Sequence, residues 1–318
     1  MIKRLAIVVP CYNEEEALPD TDKVLNDLMK DLVKREVVKS NSFILYVNDG
    51  SKDKTWNVIK NAYENSDYVY GLNLAGNKGH QNALLAGLMQ VKDEADVTIS
   101  IDADLQDDVG VIEEMVEKYY SGCDIVYGVR NDRTSDSGFK KFTAEAFYKL
   151  MNCMGAKTVY NSADFRLMSN RALDELSLYS ETHLFLRGLA PELGFKTDCV
   201  YYKRSPRLKG ESKYPLKKML SFAFNGVTSF SDKPLTLILY LGFIAILIAI
   251  IAVIYSLIQH ASGHTIQGWT SLFASIWFIG GVQLVCLGVI GQYVGKTFIE
   301  AKKRPRYYIE SYLTHDKD

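Results

Sequence analysis

The sequence predicts an α/β protein, one mostly parallel sheet domain followed by two membrane-spanning helices. Three observations carry that reading. Short apolar segments alternate with helix-length segments through the first half of the chain. Clusters of carboxylates and amides fall directly after several of those apolar segments, at Asn13-Glu14, Asn48-Asp49 and Asp102–Asp104. No Asp, Glu, Lys or Arg occurs between Pro234 and Gly295, although charged residues make up 24% of the chain.

Residues 5–10 (LAIVVP) form a continuous apolar run, as a strand covered on both faces requires. Asn13 and Glu16 have the spacing of a helix-capping pair, which predicts a helix running toward Lys39. The strand 43–47 (FILYV) leads through Asn48-Asp49-Gly50-Ser51 into a helix from about Thr55. A strand over 68–74 precedes a helix near 79–91, and a strand over 97–102 precedes a helix near 109–120. A strand over 125–129 precedes a helix near 140–154. In open parallel sheets ligands bind beyond the carboxyl ends of the strands, where these polar clusters lie.

The last third obeys other rules. Leu235–Ile258 is uninterrupted apolar sequence, about 36 Å long as a helix against a hydrocarbon core of ~30 Å. A link over 259–268 leads to a second span, roughly Trp269–Val294. A helical hairpin buried in a soluble protein would also be apolar, but two adjacent charge-free segments of this length favour a bilayer. Lys217, Lys218 and Lys233 precede the first span, and Lys296, Lys302, Lys303, Arg304 and Arg306 follow the second. The link carries neither Lys nor Arg, so the positive-inside rule puts the sheet domain and the tail in the cytoplasm. The expected organisation is a cytoplasmic domain over 1–213, a juxtamembrane segment over 214–233, the spans within 234–295 and a cytoplasmic tail over 296–318. Residues 214–230 mix Lys with Leu, Met and Phe, which suits an interfacial helix or an ordinary amphipathic core helix equally.

Composition excludes several classes. A net charge of -1 offers no field for nucleic acid. The five cysteines form no CxxC and no Cys/His cluster, against structural zinc and in keeping with reduced thiols. The basic start, Met1–Arg4, is followed by an apolar run that ends at Cys11, too short for a signal peptide. No G-x-G-x-x-G follows the first strand, and Gly295-Lys296-Thr297 lacks the first glycine of a P-loop. Gln283 and Gln292 within the second span suit helix association better than substrate binding.

The sharpest chemical feature is Asp102-Ala103-Asp104. Two carboxylates at a strand end can share work, one holding Mg²⁺ or Mn²⁺ and the other reaching the metal or a ribose hydroxyl. Such a metal offsets charge building on a leaving diphosphate. Alone, the pair would read as a solvated turn. It does not stand alone.

The segments 9–15 (VPCYNEE), 47–53 (VNDGSKD), 77–83 (NKGHQNA), 102–108 (DADLQDD) and 163–168 (ADFRLM) together resemble family 2 glycosyltransferases of GT-A, Rossmann-like fold. Within them the chain resembles the polyprenyl-phosphate branch, the bactoprenol glucosyltransferases and dolichyl-phosphate mannose synthases. The resemblance spans the whole chain, including the GQYVGK…RPRY stretch, and departs at Asp108-Val109, where relatives often carry two prolines. It implies an inverting hexosyltransferase of the plasma membrane, multi-pass with both termini cytoplasmic. The donor would be a nucleotide sugar, UDP-linked by analogy and carrying glucose or N-acetylhexosamine, and the acceptor undecaprenyl or another polyprenyl phosphate. Membrane lipids are the further expected partners, with homo-oligomers left open.

By the same resemblance, Pro10, Tyr12, Glu14, Asp49 and Asp102 would line the nucleotide. Asp104 would ligate the metal, with Gln106 near the diphosphate, and Asp164 would face the acceptor. The Asp164 role stays open between base and orienting group, because a phosphate monoester with a second pKa near ~6 is already mostly dianionic at neutral pH. Residues 203–213 (KRSPRLKGESK) hold five cations. Arg204, Arg207 and Lys213 there suit acceptor or diphosphate binding, as in relatives, or attraction to anionic head groups. Arg130 and Arg166 are further candidates for phosphate. A polysaccharide synthase of the same superfamily would need a Q-x-x-R-W motif, but the only Trp before the membrane region is Trp56. A non-catalytic partner in sugar-lipid assembly would not need the intact Asp102/Asp104 pair.

Overall fold

A computed structural model describes residues 2–131, 159, 161–181, 186–205, 233–262 and 268–316. Two compact units divide the chain, Met1–Ala223 with Pro305–Asp318, and Phe224–Arg304.

The first unit is built on an eight-stranded sheet. Its strands are β1 (Leu5–Cys11), β2 (Phe43–Asn48), β3 (Val69–Leu74), β4 (Val97–Ser100), β5 (Ile125–Arg130), β6 (Ser162–Ser169), β7 (Thr197–Tyr202) and β8 (Ile309–Leu313). They lie in the order β7-β5-β6-β4-β1-β2-β3-β8, with β6 and β8 antiparallel to their neighbours and the rest parallel. The expected parallel sheet is therefore present, as a mixed sheet. Every residue of β1 to β4 is buried, so these strands are continuous apolar runs and not alternating ones. Each Leu, Ile or Val sealed there contributes about 1.5–3 kcal/mol.

Helices α1 (Leu18–Lys34), α2 (Thr55–Asn65), α3 (His80–Val91), α4 (Ile112–Tyr120), α5 (Asn170–Ser177) and α6 (Leu186–Glu192) accompany the sheet. Helix α1 buries Leu18, Leu25, Met29 and Leu32, the stripe that a 3.6-residue period directs to one side. Helix α3 lies so close to the sheet that a Cβ on Gly87 would sit 2.4 Å from Val8 Cγ1 and 2.7 Å from Val47 Cγ2.

The capping expectation at Asn13 and Glu16 is corrected. Helix α1 starts at Leu18 after Ala17, with no side-chain cap and a proline in its first turn, and ends at Lys34. Asn13 has φ +54 and its side-chain oxygen accepts a hydrogen bond from the Lys52 N–H (2.9 Å). A tie to the neighbouring loop has displaced the local cap. The helix expected over 140–154 and the segment 214–230 lie outside the described residues.

Residues 309–313, expected as part of a tail, pair antiparallel with β3 as the last strand of the sheet. The Tyr63 hydroxyl donates to the Thr314 carbonyl (2.9 Å), and Arg4 meets Asp316 at 2.7 Å.

The second unit holds α7 (Lys233–Ala261) and α8 (Trp269–Ala301). Among the described residues one segment, Phe278–Ala301, is long and apolar enough to cross a membrane.

Candidate active site

The carboxyl ends of β1 and β2 carry the first group of candidates. Pro10 is buried within β1, opposite Val47, and holds that strand end in the sheet. Just beyond it Tyr12 is 42% exposed. The Glu14 N–H donates to Thr55 Oγ1 (2.9 Å), and the Asn13 N–H to Ser51 Oγ (3.0 Å). The loop after β1 is thus fastened to the loop after β2. Asp49 is buried, and its two carboxylate oxygens accept from the backbone N–H groups of Lys78 (2.6 Å) and Gly79 (2.9 Å). Burial pushes its carboxyl up, against the pull of those two N–H donors. Gly50 has φ +60, and a Cβ there would lie 2.4 Å from the Asn77 nitrogen, so only glycine lets the two loops approach this closely.

Beyond β4 lie Asp102 and Asp104. The turn passes through Leu105 at φ +52, a conformation costing about 1–3 kcal/mol for a non-glycine residue. That turn brings the Gln106 N–H to Asp104 Oδ1 (3.2 Å). Gln106 Oε1 accepts from the Arg204 guanidinium, and its carbonyl accepts from the Ser205 N–H (2.9 Å). Gln106 and Arg204 are therefore together.

Asp164, on β6, organises the next group. Ser100 Oγ donates to its backbone carbonyl (2.5 Å), which pins β6 against β4. Its carboxylate is 4% exposed and accepts from Arg166 (3.0 Å), twice from Arg187 (3.1 and 3.0 Å) and from Gln81 Nε2 (3.3 Å). His80 Nε2 lies 3.3 Å from Asp164 and 3.6 Å from Asp102, bridging the two carboxylates. Burial works against the Asp164 charge, but the two arginines and His80 outweigh it and hold its carboxyl well below the usual range. Burial likewise opposes the His80 charge, yet Asp164 and Asp102 raise its pKa above the ordinary value. Asp102 is raised, first by burial and then, against the pull of His80, by the carboxylates of Asp164, Asp107 and Asp104. His80 and Asp102 are closely surrounded by protein, yet keep 41% and 34% of their side-chain surface accessible.

A further buried group lies beside this one. The Tyr202 hydroxyl donates to Asp107 Oδ1 (2.5 Å), and Arg130 meets the same oxygen at 3.0 Å. Asp107 Oδ2 is buried with no hydrogen-bond partner among the described residues. Arg204 is near enough to feel Arg130, Asp107 and Asp104, and burial is the main cause of its lowered pKa.

The carboxylates of Asp164, Asp107 and Asp104 all act on Asp102, and such a concentration of negative charge suits a hard cation at Asp102 and Asp104. Among the described residues no three His, Cys, Asp or Glu side chains gather as a metal cage. A cation held here would draw most of its oxygens from its ligand, as Mg²⁺ does with phosphates. The residues fit that group.

Of the expected residues, the structure gathers Tyr12, Glu14 and Asp49 on one side, and Asp102, Asp104, Gln106, Asp164 and Arg204 on the other. Arg207 and Lys213 lie outside the described residues. Sequence reasoning gave no role to His80, Gln81, Asp107, Arg187 or Tyr202. His80 and Gln81 stand in a quoted motif just past a strand end, a usable signal. Arg187 stands in an unremarkable helix and gave none.

Known proteins match this chain along nearly its full length. The family model described as Glycosyl transferase family 2 matches residues 6–177. An uncharacterized glycosyltransferase of Bacillus subtilis, YkoT, is 51% identical, covering 98% of this chain and 93% of its own. A prophage bactoprenol glucosyl transferase homolog of Escherichia coli is 38% identical over 96% of this chain and 98% of its own. The bactoprenol glucosyl transferase of Shigella phage SfX is 38% identical over 97% and 99%.

Proposed function

The chain belongs to glycosyl transferase family 2 and is a glycosyltransferase, and on that premise we propose that it moves a hexose from a nucleotide sugar, UDP-linked, to polyprenyl phosphate with inversion at the anomeric carbon. The observation that carries this reading is the bridge from Asp102 through His80 to Asp164. It joins the carboxylate pair to a carboxylate already saturated by two arginines. Relatives named for bactoprenol glucosyl transfer support the acceptor.

On this reading Tyr12 offers its face to the base, while Pro10 and the fastened loop of Glu14 and Asp49 shape the wall around it. Asp102 meets the nucleotide, Asp104 the metal, and Gln106 with Arg204 the diphosphate. Bound Mg²⁺ or Mn²⁺ would supply charge neutralisation for the leaving diphosphate. An oxygen of the acceptor phosphate attacks C1 of the sugar. The bond from C1 to the nucleotide diphosphate breaks on the opposite face, and its electron pair leaves with the diphosphate.

No proton has to be removed, because the acceptor phosphate is mostly dianionic at neutral pH with a second pKa near ~6. Asp164 suits this. Its lowered pKa and four donors make it a poor base but a firm anchor, one that aims His80 and Arg187. It acts as an orienting group. Asp107 does the same for Arg130.

Two spans, with the sheet unit and both termini cytoplasmic, complete the proposal. The charge-free stretch from Pro234 to Gly295 and its basic flanks support it. A cysteine introduced at Ser262 should react with an impermeant reagent from outside, and one introduced at Lys317 should not. The reverse pattern rules out this orientation.

The deciding experiment incubates purified protein in detergent with undecaprenyl phosphate and a panel of nucleotide sugars, reading the lipid by mass spectrometry. A lipid heavier by one hexosyl or N-acetylhexosaminyl unit is expected. Sugar transfer to other acceptors alone would discard the lipid-phosphate reading. With the active donor in hand, Arg204→Ala, Arg207→Ala and Lys213→Ala should each lower kcat/KM for the lipid about tenfold if they grip phosphate. Unchanged values would leave them a head-group role.

A further inference from the structure

The C-terminal strand reaches the donor side of the site through a continuous series of hydrogen bonds. Cys11, Asn48, Asn73 and Ser311 lie on one rung across β1, β2, β3 and β8, at the carboxyl ends of the three parallel strands. The pairing of β3 with β8 then slips, from Asn73 with Ser311 to Leu74 with Ile309, so Glu310 is the extra residue of a bulge. A bulge re-aims the side chain it carries. Here Glu310 Oε2 accepts from Asn73 Nδ2 (2.7 Å), and Asn73 Oδ1 accepts from Asn48 Nδ2 (2.7 Å). Asn48 Oδ1 in turn accepts from the Ser51 N–H (3.3 Å), and Ser51 Oγ from the Asn13 N–H (3.0 Å).

Both asparagines are buried, at 3% and 8% exposure, so each donor they hold needs its partner. The carboxylate at the end of the series sets its direction. Glu310 only accepts while ionised, so Asn73 turns its NH₂ toward it and its oxygen toward Asn48. A second contact runs alongside. The Ala75 N–H donates to the Tyr308 carbonyl (3.0 Å), and the Lys78 ammonium lies 5.9 Å from the Tyr308 ring. Lys78 is the residue whose N–H holds Asp49.

We propose that the C-terminal strand is a positioning element of the donor subsite, with Glu310 acting through Asn73 and Asn48 to set the loops that carry Tyr12, Glu14 and Asp49. This rests on the assignment of those loops to the nucleotide. Ile309 follows Ala301, the last residue of α8, by eight positions. On this proposal residues 308–311 help to position the donor subsite.

The test compares Glu310→Ala with Glu310→Gln in the full-length protein. Glu310 is exposed, so neither change removes core packing. Titration with UDP and with GDP gives the nucleotide Kd, and steady-state rates give KM for donor and lipid separately. Glu310→Ala should weaken nucleotide binding and raise donor KM about tenfold, with kcat and lipid KM near wild type. Glu310→Gln keeps a carbonyl acceptor and should stay near wild type. A purely structural strand would lower the melting temperature and the active fraction while leaving Kd unchanged, and that result overturns the proposal. Equal losses in both variants would assign the effect to charge and overturn it too. If the wild type binds neither nucleotide, the donor-side assignment falls with it. If the wild type binds and Glu310→Ala binds equally, only the proposal falls.

Discussion

The two halves of the sheet end in different materials. Along β1, β2, β3 and β8 the strand ends are tied by neutral amides, hydroxyls and backbone N–H groups, with Asp49 and Glu310 as terminal acceptors. Along β4, β6, β5 and β7 they are tied by buried charges, among them Asp164 with Arg166 and Arg187, and Asp107 with Arg130. A network made mostly of neutral amides and hydroxyls costs less to desolvate than one of buried charges. A buried charged network costs much more, and survives because each charge has several partners. On the proposed function the difference matches the tasks: one half would hold a neutral base and ribose, and the other phosphates whose charge moves during transfer.

The largest expected effect is at Asp104, the proposed metal ligand. Asp104→Asn should cut transfer about 100-fold or more while the melting temperature stays near wild type. Retained activity, or full wild-type activity in EDTA, would show that the carboxylate pair does not serve a metal. On stability the largest loss comes from Asp164→Asn. It leaves Arg166, buried on all sides, without its counter-ion, and breaking such a pair costs about 3–5 kcal/mol. Urea unfolding should show that loss, and a change under 1 kcal/mol would mean that water reaches the pair. Asn48→Ala strikes the neutral half and should cost about 1–3 kcal/mol, the range for a buried hydrogen-bonding group left without its partner.

The smallest effect is the most selective. The folded pKa of His80 lies above its unfolded value of about 6.5. Its contribution to stability is therefore complete below that value and is lost as pH rises through the folded pKa. Asp164 runs the other way. Its folded pKa is depressed, so its contribution stands at neutral pH and is lost only in strong acid. Urea unfolding between about pH 6 and about pH 8 should show a decline that His80→Asn flattens and Asn48→Ala leaves in place. A decline unchanged in His80→Asn would move its origin elsewhere.

What could be read beforehand follows the range of each interaction. Strands β1 to β5 and helices α2 to α4 announce themselves as apolar runs or periodic stripes, because burial acts on each segment by itself. Asp102, Asp104, Tyr12 and Asp49 were legible as residue types placed after such strands, and the family resemblance sharpened them. The capping pair at Asn13 failed because Lys52, distant in sequence, supplied a competing donor.

By itself, then, the sequence determined the alternation of strands and helices, the polar strand ends and the charge-free stretch from Pro234 to Gly295. Those are local sums of hydrophobicity and turn chemistry. Only the tertiary structure decided that β6 would insert antiparallel between β4 and β5, and so carry Asp164 to His80. It alone decided that Arg187 would anchor on that carboxylate, and that Glu310 would meet Asn73 across 237 positions of chain. Such contacts leave no periodic trace. They depend on which edges and buried donors remain unsatisfied once the sheet has formed, and that is a property of the assembled molecule.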